Sequence, residues 1–558
     1  MREDHSAPAT TQSARMLRLG LYGVLTTYAA LVLLGLLGQP VFAPDEPGHV
    51  HYGIALTQGR IPVIGETSAG QFPEISDADM LQIQSFHPPL YYLITGPIER
   101  IALETGLGYP LLLLTRLLNL ALSALTVFMV GRIAWLLTSG TSQRRATIAL
   151  AAAAVVGTVP ALLIASGRVM NDSLAVALAT GTLLVLVRSA RAGLRLREVA
   201  LIAALCTLGM LTRISFLPIW LLAIGAVAAL SLWPGLRFGP PRTPWRTALG
   251  RASAVLAAPV AGAGWFYVLN VQRYGDITGG SGGKNLPVAA DRTLDPAAAD
   301  GPLLYLLDPA SWWEQMQQYA GVNASSVREP LPLLNHVLIV AVVTLLLLGV
   351  LIRLFRWVDG GRPATDAVGS WCLVALALVA VATCLEMATH VTHKGWPNAR
   401  YLLNGVAVWG IAAAGLAHTF GRRLAPYAVL LISFTGVLGY LTFLVTTLRW
   451  NEQLESLSWF DTIAGGMNMS GFPVPHVLTA ILLVAVIAGL GLQARALIGL
   501  SRAEAAVATG RHAQGRPSRP AATEPHLPEP RLAPDAVQAR IVRRTAATTH
   551  RRGDHPHD

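Results

Sequence analysis

Two adjacent carboxylates, Asp45 and Glu46, stand in Pro44-Asp45-Glu46-Pro47-Gly48-His49-Val50-His51-Tyr52, directly after the first long apolar run. A third imidazole follows in Phe86-His87-Pro88-Pro89-Leu90-Tyr91-Tyr92. Charged groups at the edge of a bilayer are costly unless they have a partner or a task, so this cluster marks a candidate site. Consecutive residues on a helix point about 100° apart, so Asp45 and Glu46 cannot both face one atom. The pair therefore suits a division of labour: one carboxylate as general base for an acceptor hydroxyl, the other structural or a metal ligand. Partial desolvation raises a carboxyl pKa toward neutrality, which suits a base.

His49, His51 and His87 together with the two acids leave a divalent metal as an open alternative, since imidazole and carboxylate are its usual ligands. The spacing is not that of a zinc protease, and no cofactor is fixed by it. Arg213 and Arg400 offer planar guanidinium forks that match a phosphate and keep their charge when desolvated. Arg168 and Arg273 are expected to snorkel to the interface instead. His390 and His393, three apart, can share a helical face.

The chain that must position these groups has 558 residues, of which 53% are hydrophobic and 13% charged. Soluble globular proteins carry about 25% charged residues, so the composition is that of a polytopic membrane protein. The net charge of +11 does not indicate nucleic acid, because the basic residues fall in short clusters between apolar runs. That is the distribution that orients membrane helices. Cys206, Cys372 and Cys384 lie inside apolar runs and imply no disulfide framework. The first run, near residues 17–39, predicts a retained helix rather than a cleaved signal peptide.

The basic clusters predict about twelve spans with both termini cytoplasmic. Residues 1–16 form a cytoplasmic segment, 17–499 a transmembrane domain, and 500–558 a basic tail too poor in large apolar side chains to fold. The external loops are 40–110, 272–334, 388–400 and 447–474. Between Arg197 and Arg237 the apolar stretch breaks at Leu211-Thr212-Arg213-Ile214-Ser215-Phe216-Leu217-Pro218, which predicts a hairpin of two short helices with Arg213 at its outer tip. The chain's polar motifs therefore gather at one face. A transporter would place ionisable groups near the midplane and commonly show internal repeats, so the asymmetry favours surface chemistry.

These motifs, in order, resemble a known family. They are Pro44-Asp45-Glu46-Pro47, His87-Pro88-Pro89-Leu90-Tyr91-Tyr92, the Asn171-Asp172 turn, Leu211-Thr212-Arg213, Gly264-Trp265-Phe266-Tyr267-Val268-Leu269-Asn270 leading to Tyr274-Gly275-Asp276, and Arg400-Tyr401-Leu402-Leu403. Together they are similar to bacterial predicted membrane proteins of the GT-C glycosyltransferase superfamily, which includes protein O-mannosyltransferases and the aminoarabinose transferase of lipid A. The resemblance covers residues 17–490.

It implies an all-α polytopic bundle of GT-C type in the bacterial plasma membrane with its active site external. It also implies transfer with inversion from a polyprenyl-phosphate-linked sugar to an envelope glycan, lipid or protein acceptor. By the same resemblance Asp45 is the general base, Glu46 supports it, and Asp172 matches loosely a second acid. Arg213 and Arg400 would hold the donor phosphate, while His49, His51, His87, Tyr91, Asn171 and Tyr401 would line the substrate. A flippase of lipid-linked sugars, or a glycan polymerase or ligase, is the alternative.

Overall fold

Apolar runs bounded by turn residues become helices throughout. A computed structural model of the chain describes residues 7–38, 46–66, 84–105, 108–234, 243–280, 301–319, 330–358, 366–392 and 399–514. Asp45, His393 and the tail from residue 515 lie outside the described residues. The chain divides into two compact units, Met1–Ala506 and Val507–Asp558, and the bundle is the first of them. The described residues form an all-α fold without strands.

In the first half, α1 (Ala7–Gly38) is followed by two short helices, α2 (Glu46–Thr57) and α3 (Leu90–Glu104), before α4 (Gly108–Leu137). Next come α5 (Ser142–Val156), α6 (Pro160–Ser166), α7 (Asp172–Ala192), α8 (Leu196–Met210), α9 (Leu217–Leu232) and α10 (Trp245–Tyr274). In the second half, α11 (Pro302–Leu307) and α12 (Pro309–Tyr319) precede α13 (Pro330–Val358) and α14 (Ala367–Thr392). The bundle closes with α15 (Val406–Ala417), α16 (Ala425–Leu448), α17 (Trp459–Met469) and α18 (Pro475–Gln514). Three 3₁₀ turns matter below: Gln84–Phe86, Ile214–Phe216 and Ala399–Gly405.

Local chemistry sets the breaks. Pro160, which has no N–H to donate, opens α6, which lies at 64° to α5. Gly275 closes α10 in the left-handed region at φ 78°, a conformation a side chain would strain. Where α2 crosses α3, a Cβ on Gly96 would lie 2.3 Å from the carbonyl oxygen of Gly53, so only paired glycines let the helices meet.

Ten helices among the described residues are long and apolar enough to cross a membrane, or eleven if α5 and α6 count as one span. The expected twelve is thus approximate. The hairpin forms as predicted, but α8 has 15 residues, short of the roughly 20 needed to cross the hydrocarbon core. The helices also run past the expected domain edges. α1 begins at Ala7, and α18 continues through the alanine-rich residues after Ser501 to Gln514.

Charge separates the two ends of the bundle. At one end Arg191 pairs with Asp366, Arg422 Nε donates to Glu504 at 3.1 Å, and the Arg145 guanidinium lies 4.6 Å from the centre of the Trp135 ring. The other end carries α2, α3, the α6–α7 turn, the Arg213 tip and the start of α15. A cysteine replacing Gln272, exposed where α10 ends, is expected to react with an impermeant thiol reagent on intact cells. One replacing exposed Arg197 should react only after permeabilisation, and the opposite pattern would invert the topology.

Candidate functional site

The first turn of α2 carries Glu46, whose side chain is wholly buried. Arg116 of α4 grips it with both arms of its fork, Nε to Oε1 at 3.1 Å and Nη2 to Oε2 at 2.8 Å. The Val169 N–H, in the turn after α6, donates to Oε1 at 2.6 Å. Arg116 also donates from Nη1 to the Leu36 carbonyl of α1 at 3.3 Å. One carboxylate thus gathers four parts of the fold. It also sits at a helix N-terminus, where negative charge is favoured.

Farther along α2, His49 Nδ1 shares a hydrogen bond of 2.8 Å with the Tyr92 hydroxyl. Its ring lies parallel to that of His87, with centres 6.2 Å apart. Tyr52, one turn on, stacks on Tyr92 at 4.0 Å and donates to the His87 carbonyl at 2.9 Å. His51 is two residues from His49 and so points away. It lies 3.9 Å from Glu66, and the structure does not bring it to the other imidazoles. Burial first, then the charges of Arg213, His49 and Arg400, hold His87 well below the usual imidazole range, so it is neutral at pH 7.

Two asparagines fasten the α6–α7 turn. Asn119 of α4 donates to the Tyr91 hydroxyl at 2.9 Å and to the Met170 carbonyl at 3.1 Å, while Asn171 donates to the Thr212 carbonyl at 3.1 Å. The next residue, Asp172, forms a buried ion pair with Arg213. The Arg213 guanidinium carbon lies 5.2 Å from the centre of the Tyr401 ring, and that of Arg400 lies 5.8 Å from the same ring. His390 packs on Tyr401 at 4.4 Å. Both sequence-predicted arginines therefore share one aromatic platform.

Backbone links draw the remaining motifs in. The Leu90 N–H donates to the Leu211 carbonyl at 3.0 Å. Asn404 donates to the Ser215 carbonyl at 2.7 Å, docking the Ala399–Gly405 turn on the hairpin tip. Asn270 donates to the Phe86 carbonyl at 3.1 Å. Arg273, at the end of α10, donates to the Pro62 and Ile61 carbonyls of the loop after α2. The Arg168 guanidinium carbon lies 5.5 Å from the centre of the Phe443 ring. Among the described residues no three His, Cys, Asp or Glu side chains stand close enough to hold a metal ion.

Sequence reasoning missed Arg116 and Glu99. Arg116 is a charge inside an apolar span, which by itself signals a partner nearby. Glu99 follows Tyr92 and Gly96 at helical spacing and so faces α2, where its carboxyl sits over Gly53. It is 1% exposed, and both oxygens lack a hydrogen-bond partner. Burial, reinforced by the negative charge of Glu46, pushes its carboxyl well above the usual range against a smaller opposing effect of Thr95. Glu386, one turn before His390, likewise keeps a buried carboxylate oxygen without a hydrogen bond.

No protein-family model matches the chain, and no curated protein matches it. Solved structures similar to it include ArnT from Cupriavidus metallidurans bound to undecaprenyl phosphate, at 10% identity and a TM-score of 0.43, covering 88% of this chain and 79% of that one. The Archaeoglobus fulgidus oligosaccharyltransferase tethered with an acceptor peptide is similar at 12% identity and a TM-score of 0.41, covering 82% of this chain and 60% of that one. This chain thus spans under two thirds of the archaeal protein's length.

Glu99 yields a pH-dependent prediction. Its folded pKa is raised above the ordinary 4.5, so folding favours the neutral acid and stability declines as pH rises from about 4.5 through the folded value. Glu99→Gln is expected to raise Tm by a few degrees near pH 8 and to leave it unchanged near pH 4, read by thermal unfolding in detergent. An equal shift at both pH values would mean that Glu99 carries its charge in the folded protein.

Proposed function

We propose that this chain is a membrane glycosyltransferase of the GT-C type. It transfers a sugar from a polyprenyl-phosphate-linked donor to a hydroxyl of an acceptor at the outer face, in bacterial envelope glycan synthesis. The observation that carries this is the meeting of Arg213 and Arg400 on the Tyr401 ring, at the same end of the bundle as the segment that begins beside Asp45. Two cations at the mouth of a membrane bundle suit a phosphate whose lipid chain lies in the bilayer. The sequence resemblance supplies the acid, Asp45.

In this mechanism the Asp45 carboxylate takes the proton of the acceptor hydroxyl. The acceptor oxygen attacks the anomeric carbon from the face opposite the phosphate, the bond from that carbon to the phosphate oxygen breaks, and configuration inverts. The bonding pair leaves with the phosphate, where Arg213 and Arg400 stabilise the growing negative charge. Asp172 holds Arg213 at its place, and Tyr401 orients both guanidiniums. His87, being neutral, adds no third cation. With His49 and Tyr91 it belongs to the buried wall of α2 and α3, while Asn171 fastens the α6–α7 turn and His51 belongs to the loop side near Glu66.

Purified protein is to be incubated with radiolabelled polyprenyl-phosphate sugars and envelope extract, following label lost from the lipid. Consumption of one donor is expected, and Asp45→Asn should slow it by about 10²–10⁴. If no donor is consumed while lipid-linked sugar crosses a reconstituted bilayer, the protein is a transporter. Arg400→Ala should raise the donor KM by about tenfold to a hundredfold, the worth of a charge-assisted hydrogen bond, and leave the acceptor KM near its original value. An unchanged donor KM would remove Arg400 from the phosphate site.

A further inference from the structure

In the proposed reaction Arg213 and Arg400 take the donor phosphate, whose ionised oxygens only accept hydrogen bonds. Near the same arginines stand three polar atoms with unmet needs. The Asn171 amide donates from Nδ2 to the Thr212 carbonyl, which leaves Oδ1 as its acceptor end, buried and without a hydrogen bond. His87 Nδ1 and Glu386 Oε2 are likewise buried and without a hydrogen-bond partner. The amide and carboxyl oxygens call for a donor, and a phosphate has none to offer.

All three atoms belong to residues around Arg213. Asn171 holds the carbonyl of Thr212, the residue before Arg213, and it precedes Asp172, the ion-pair partner of Arg213. The charges of Arg213 and Arg400 both reach His87. Glu386 comes from α14, where Thr383, Glu386 and His390 recur at the i, i+3 and i+7 spacing of one helical face. That face meets the Ala399–Gly405 turn: His390 packs on Tyr401, and a Cβ on Gly405 would lie 3.2 Å from Thr383 Oγ1. Tyr401 is the ring that both arginines share, and the Arg213 charge reaches Glu386. Asp172 already forms the ion pair with Arg213, so charge pairing does not account for this second acid. Glu386 is also only partly buried as a residue, so it borders open space and not the sealed core.

Buried polar atoms without partners are rare in folded proteins, and each calls for an explanation. A sugar ring supplies one. A hydroxyl both donates and accepts, so it suits an amide oxygen, a carboxyl oxygen and either state of an imidazole nitrogen. The proposed donor carries such a ring directly on its phosphate.

We propose that Glu386, together with Asn171 Oδ1 and His87 Nδ1, forms the subsite for the sugar ring of the donor, with Glu386 accepting a hydrogen bond from a ring hydroxyl. The substrate class is then a sugar with free hydroxyls on the side of α14, since a deoxy or acylated ring there would leave Glu386 unmet. This rests on the reading of the chain as a transferase that uses a polyprenyl-phosphate-linked sugar.

The test is equilibrium binding to purified protein in detergent, for wild type, Glu386→Leu and Glu386→Gln. The probes are radiolabelled polyprenyl phosphate and its glucosyl, mannosyl and galactosyl derivatives. Wild type is expected to bind at least one sugar-bearing lipid more tightly than the bare one. Glu386→Leu should weaken that binding by about tenfold to a hundredfold, the worth of a hydrogen bond to a charged group. It should bind bare polyprenyl phosphate as tightly as wild type or more tightly, because an acid near the phosphate is gone. Glu386→Gln keeps an acceptor oxygen and should lose clearly less, about threefold.

Equal weakening of bare and sugar-bearing lipids in Glu386→Leu would make Glu386 a support for the arginines and overturn the proposal, as would unchanged binding of every probe. A wild type that binds the bare lipid but no sugar-bearing lipid more tightly would remove the sugar subsite and leave the phosphate site standing. A wild type that binds no polyprenyl phosphate at all would sink the transferase reading, and this inference with it. If Glu386→Leu does not fold, Glu386→Asp takes its place, since it keeps the acid and withdraws its oxygens by one methylene. It should lose the preference for the sugar-bearing lipid at unchanged affinity for the bare one, and a preserved preference would overturn the proposal.

Discussion

A charge placed near the low-dielectric interior must find its counter-charge there, and the end of this bundle that carries α2 and α3 is arranged around that requirement. Two guanidiniums enter from long helices or their hairpin tip, Arg116 from α4 and Arg213 from the turn before α9, and each meets one buried acid. Neither acid comes from the helix that brings its arginine. Glu46 opens α2 and Asp172 opens α7, so satisfying the two charges forces four separate pieces of chain together. Both acids also occupy first helical turns, where the backbone dipole favours them.

The pairs alone would leave many backbone groups unmet where helices end and turns begin, and asparagine amides take up much of that role. Asn119, Asn171, Asn270 and Asn404 each donate to a backbone carbonyl of a different element. An amide can hold such a carbonyl without adding charge. His49, Tyr52, His87 and Tyr92 form an aromatic wall whose rings stack and share hydrogen bonds among themselves. The site thus has a cationic side, on Tyr401, and an aromatic side under α2 and α3.

Much of this was legible in the sequence because membrane helices are read from apolar length and basic flanks. The broken run at Leu211–Pro218 gave away a hairpin tip, and the described residues of the quoted motifs fall at the same end. What the sequence hid were partnerships across long separations. Nothing local says that Arg116 meets Glu46, or that Arg273 caps the Ile61 and Pro62 carbonyls, since those contacts depend on how α2 and its loop fold back. Glu99 was hidden for another reason. Its helical spacing from Tyr92 and Gly96 marks a buried face, but an acid on a short helix outside the spans looks like ordinary surface charge. The count of twelve spans exceeded the ten long helices because one expected span is bent between α5 and α6 and another, α8, has only 15 residues.

The distribution of charge also bears on the choice between transfer and transport. A carrier has to move its charged groups, or expose them in turn to both faces, and a charge held from several directions resists that. Arg116 and Arg213 are buried, each is bound to an acid on another helix, and the turns that carry those acids are tied down by Asn119 and Asn171. A motion that separated these two buried ion pairs would cost about 3–5 kcal/mol for each charge left uncompensated. A fixed site that holds one phosphate while bonds exchange has no such requirement. The rigidity of these pairs therefore fits chemistry at a stationary site better than passage through a moving one.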